Sequence, residues 1–118
     1  MTTLVEDLQS LLNPLATGGA WYGANTQQPP VLPYIVFQRI TSTANVALGG
    51  SSAMQNTRVQ IDIYAERQSD CESVEQTIES AFSAWPTWQN VPLLSQDFYE
   101  QEVRLYRVSK DYSVWSTN

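Results

Sequence analysis

A chain of 118 residues with no break in composition is expected to fold as one domain over 1–118, large enough to build a core without disulfides or metals. One cysteine and no histidine exclude an internal disulfide, Ser-His-Asp or Cys-His catalysis and histidine metal sites. Six basic against twelve acidic residues, for a net charge of −6, leave no cluster able to neutralise phosphates, which argues against nucleic-acid binding as the main task.

The first element is expected to be a helix. Thr3 and Glu6 have capping-box spacing, and Leu4, Leu8, Leu11, Leu12 and Leu15 recur as one apolar stripe. Asn13-Pro14 should end it, because the residue before proline is pushed away from helical dihedrals. Gly18-Gly19 then reads as a point of chain freedom. Trp21 and Tyr22 can open a short strand, and residues 23–33, with Pro29, Pro30 and Pro33, read as a loop into the sheet.

Residues 34–43 are β-branched and aromatic, with Tyr34, Val36 and Ile40 on one face and Ile35 and Phe37 on the other. Residues 57–65 alternate more clearly, with Val59, Ile61, Ile63 and Ala65 against Arg58, Gln60, Asp62 and Tyr64. That is the pattern of a sheet buried on one side. The two are expected to form an antiparallel hairpin joined by a long polar connection over 44–56, and a connection of that length is usually functional or disordered.

Ser69 and Glu72 repeat the capping-box spacing, and Cys71, Val74, Ile78, Ala81, Phe82 and Trp85 mark one face of a second helix that Pro86 stops. Glu72, Glu75 and Glu79 read as a solvated acidic face. Residues 88–99 read as irregular, with Val91, Leu93 and Leu94 as a possible short strand. Residues 101–106 and 109–115 read as strands, or one long bent strand, packed by Val103, Leu105, Tyr112, Val114 and Trp115. The expectation is an α+β fold: a mostly antiparallel sheet of about four to five strands with two helices packed on one face.

Candidates for chemistry are weak. Cys71 on an apolar helix face reads as a small core residue rather than a reactive thiol. Gly49-Gly50-Ser51-Ser52 lacks the Gly-Lys-Ser/Thr ending of a phosphate cradle and reads as a flexible loop. The acid pairs Asp62 with Glu66, and Asp97 with Glu100 and Glu102, could in principle serve a hydrolase but read as solvated surface acids. Trp85 continues the core stripe. Trp88 and Trp115 lie near segment ends, where core and interface readings are balanced. Charged residues make up only 15% of the chain, and a polar but weakly charged surface suits contact with other proteins.

The stretches PYIVFQRITST, TRVQIDIYAERQSDCESVEQTIESAF and YRVSKDYSVW together resemble a family of small tailed-phage proteins described as tail completion or head-tail joining proteins, related to lambda-type tail terminators. The resemblance spans about residues 4–115. It implies a structural protein without catalysis or cofactor. Such a protein forms a homo-oligomeric ring, usually a hexamer, on the head-proximal end of the tail tube, stops tube growth and presents a surface to a head or neck connector protein. DNA passes through without specific binding, and a net negative wall suits that passage. The alternative within the same resemblance is a neck adaptor bound to the portal without capping the tube. The protein would be made in the bacterial cytoplasm, with no signal peptide at its acidic N-terminus and no membrane partner. The resemblance places contacts between neighbours in the long connection. The candidate interface is therefore Ala44, Asn45, Val46, Leu48, Gly49, Gly50, Ser51, Ser52 and Met54, with Trp88 and Trp115 added for their residue type.

Overall fold

The computed structural model describes residues 3–46, 53–85 and 88–117. Helix α1 spans Leu4–Leu12, followed by a 3-10 turn at Asn13–Leu15. Strand β1 spans Ala20–Tyr22, β2 Tyr34–Val46 and β3 Ala53–Ala65. Helix α2 spans Gln68–Ser83, and β4 and β5 span Gln89–Glu100 and Leu105–Thr117. The strands form one sheet in the order β1-β2-β3-β5-β4. Every pairing is antiparallel except β1 with β2. The fold is α+β, as the patterning implies.

Local chemistry explains most boundaries. Both halves of the Thr3–Glu6 capping box form: Thr3 N–H donates to Glu6 Oε1 at 3.1 Å, and Glu6 N–H donates to Thr3 Oγ1 at 3.2 Å. The second expected box does not form. Helix α2 starts at Gln68 behind Arg67, which makes no side-chain cap. The α1 helix ends at Leu12 as Pro14 predicts, but by tightening into the 3-10 turn rather than leaving the helical region. Asn13 then clips the next strand, its Oδ1 accepting from Ala20 N–H at 3.1 Å, while Gln9 Nε2 donates to Ala20 O at 2.7 Å.

Gly18 is a point of close approach rather than of freedom. Its N–H donates to Pro33 O at 2.7 Å, and a Cβ there would lie 1.8 Å from Val31 O. Gly23 (φ 81°) ends β1, its N–H donating to Phe37 O at 2.9 Å before the chain leaves the sheet.

Both helices cover one face of the sheet. Leu8 and Leu12 of α1, and Cys71, Val74, Ile78 and Phe82 of α2, are buried against Ile35, Phe37, Val59, Ile61, Ile63, Val108, Tyr112 and Val114. Phe82 stacks on Tyr112 with centroids 4.0 Å apart. The face holding Tyr34, Gln60, Tyr64, Arg107 and Trp115 carries no helix.

Three sequence expectations are corrected. Residues 44–46 and 53–56 are not loop but the ends of two 13-residue strands, paired through Ala44↔Gln55, Asn45↔Met54 and Val46↔Ala53. Ladder hydrogen bonding carries this polar stretch, so apolar periodicity could not reveal it. Residues 89–100 are not irregular but a full strand, and Pro92 hid it. Pro92 is tolerated because β4 is an edge strand with a register shift between Pro92 and Leu94. Residues 101–104 are the β4–β5 turn, so Val103 is 60% exposed instead of packed. Pro86 lies outside the described residues.

Candidate functional site: a sheet with two open edges and an uncovered face

The described residues contain no group of three metal-binding side chains. Cys71 is fully buried, and desolvation, reinforced by Asp70, raises its thiol to about 11, so it is a poor nucleophile at neutral pH. Its Sγ donates to Tyr106 O at 3.4 Å.

Two acids expected to be solvated are structural. Asp62 is buried on the helix-free face, 3.3 Å from Arg107 Nη1, with Gln60 Nε2 donating to it at 3.1 Å. Arg107 also donates through Nε to Glu100 Oε1 at 2.8 Å, and it lies 4.3 Å above the Phe98 ring. One guanidinium thus ties β5 to β3 and β4. Glu75 does not share the solvated face assigned to Glu72. It turns down to the sheet, where Lys110 Nζ donates to its Oε2 at 3.0 Å and Ser95 Oγ does so at 2.7 Å. Lys110, the chain's one lysine, is 4% exposed and also lies 3.5 Å from Glu79. Residue type alone gives no sign of these positions. The only signal in the sequence is that Asp62 and Lys110 sit inside strongly alternating strands.

The helix-free face is partly polar. Tyr34 stacks on Tyr64 with centroids 5.0 Å apart, and Arg58 pairs with Asp111 at 2.6 Å. Desolvation raises both tyrosine hydroxyls above their usual value. A shallow groove of about 540 Å³ opens beside them, between Gly23 and Glu102.

The exposed apolar side chains are not spread evenly. Val91, Leu93, Leu94, Phe98 and Tyr99 lie on β4, and Val103 follows in its turn. Tyr22 and Ile40 are exposed at the opposite edge, beside Arg39 and Thr41 in a notch of about 270 Å³ where β1 stops. The molecule is also long, 53 × 26 × 25 Å. The β2–β3 hairpin forms a long arm, its ladder running from Tyr34↔Tyr64 to Val46↔Ala53.

The interface candidates from sequence fall in different places. Ala44, Asn45, Val46 and Met54 lie at the far end of that hairpin arm. Leu48, Gly49, Gly50, Ser51 and Ser52 lie outside the described residues. Trp88 is half-buried against the core, its indole N–H donating to Asp7 Oδ2 at 2.7 Å. Trp115 is half-buried on β5, opposite Asn56 and Gln89. Sequence reading missed the apolar edge of β4, because Pro92 broke the strand pattern.

The described residues thus form a sheet with one helix-covered face and apolar open edges. The family model "Tail completion protein gp17" matches residues 6–117, and the chain belongs to that family. It is a structural protein of the tail or neck of a phage-like particle, associated with the virion. No curated protein matches. A solved structure titled "Virion of native gene transfer agent (GTA) particle" contains a similar chain, with a TM-score of 0.62, 12% identity, and coverage of 86% of this chain and 80% of that one. That likeness is one of fold.

Proposed function

We propose that this protein caps the head-proximal end of the tail tube as a homo-oligomeric ring, six copies being the number the family resemblance implies. The ring ends tube growth and offers its other side to a head or neck connector. It turns over no substrate, and DNA passes without being gripped. The observation that carries this reading is the β2–β3 arm. Its two 13-residue strands stay paired to Val46 and Ala53, well past the end of β1, so the arm can reach a neighbouring subunit or the tube. The arm holds the interface candidates Ala44, Asn45, Val46 and Met54. The low content of charge also supports large protein contacts, which deplete charged residues at their centres.

Native mass across a concentration range, with and without purified tail tubes, tests the reading. The expected species is about 80 kDa, six times the 13.3 kDa chain, alone or at tube ends. A strict monomer that ignores tubes but binds a portal would replace the cap with a neck adaptor.

A further inference from the structure

We propose that the β4 edge of one copy pairs with the uncovered outer edge of β2 in a second copy, so that the sheet runs on from subunit to subunit. This rests on the ring reading above and names its contact. β4 is 12 residues long, lies at the edge of the sheet and has only β5 as a strand neighbour. Its outer backbone groups have no ladder partner among the described residues, and five of its residues expose large apolar side chains, Val91 at 51% and Leu94 at 48% among them. Natural proteins protect long apolar edges, because such edges recruit other strands.

The opposite edge is open in a complementary way. β1 pairs with only Ile35, Val36 and Phe37 of β2. Gly23 then turns the chain off the sheet, so residues 38–46 of β2 have no strand on that side among the described residues. An incoming strand would continue the line of β1, with Tyr22 and Ile40 against its apolar side chains. Residues 38–46 offer about 30 Å of backbone at the usual rise per residue. Arg39 on this edge and Asp97 on β4 are exposed, carry opposite charge, and make no ion pair with a described residue. Because the two edges differ, the contact is head-to-tail, and repeated head-to-tail contacts close into rings when the rotation permits. A second copy is therefore the occupant that both edges fit.

Paired cysteines test this. Within one chain β2 and β4 are separated by β3 and β5, about 14 Å at the normal strand spacing, so a short thiol cross-linker bridging residues 41 and 96 reports contact between copies. Assemblies carrying Thr41→Cys and Gln96→Cys together should give a ladder from dimer to closed ring on denaturing gels. Either change alone should give none, since Cys71 is buried. Leu94→Lys should lower assembly at least tenfold without moving the melting temperature of the monomer. Wild-type rings accompanied by no ladder and by normal assembly of Leu94→Lys would overturn the edge contact and leave the ring standing. Wild-type chains that form no ring even on tubes would overturn both.

Discussion

Replacing Glu75 by Gln isolates the ion pair beneath α2. Lys110 carries its ammonium into the layer between α2 and the sheet, with 5% of its side chain exposed. Glu75, 19% exposed, holds it at 3.0 Å, and Glu79, 54% exposed, stands at 3.5 Å. The Gln side chain keeps the shape and can still accept from Ser95 Oγ, but it removes the charge nearest to a buried cation. Breaking a buried pair costs about 3–5 kcal/mol, and an exposed pair is worth about 0–1 kcal/mol. Glu79 remains as a weaker partner for Lys110, so Glu75→Gln should cost about 2–3 kcal/mol and Glu79→Gln under about 1 kcal/mol. The double change Glu75→Gln with Lys110→Met should recover most of the loss, because it leaves no unpaired charge. Urea unfolding followed by tryptophan fluorescence reads these differences as midpoint shifts at constant slope. Equal costs for the two single glutamine variants would refute the reasoning, as would a double variant weaker than Glu75→Gln alone.

Gly18→Ala should destabilise by several kcal/mol or prevent folding, since its Cβ would meet Val31 O at 1.8 Å, while Gly23→Ala should cost only about 1 kcal/mol for its positive φ; thermal melts rank the two. Trp88→Phe should cost about 1 kcal/mol by removing the indole donor to Asp7, and Asp7→Asn should cost less, read by the same unfolding curves. Stability should fall in alkali. The Cys71 thiol is raised from 9.0 to about 11, so the folded state holds its proton longer than the unfolded chain. Its contribution is therefore full below pH 9.0 and is lost as pH rises to about 11, a loss of roughly 2–3 kcal/mol that Cys71→Ala should flatten.

The sequence alone determined whatever depends on near neighbours or on strict periodicity. The capping box at Thr3, the α2 core stripe from Cys71 to Phe82, and the alternation of residues 57–65 could be read directly, because period 3.6 and period 2 are imposed by backbone geometry. The stretches over 33–43, 57–82 and 106–115 carried the family resemblance, and with it the structural role. What depends on which strands become neighbours was settled only by the tertiary structure. Polar residues 44–46 and 53–56 are strand because each supplies the other's ladder, and Pro92 sits in a strand because β4 falls at an edge. Lys110 and Asp62 are buried because Glu75 and Arg107 arrive from elements 35 and 45 residues away in the chain. The open edges follow from the same topology. No local pattern encodes that β1 pairs with only three residues of β2 or that β4 gains only one strand neighbour, since each is a property of the whole sheet order.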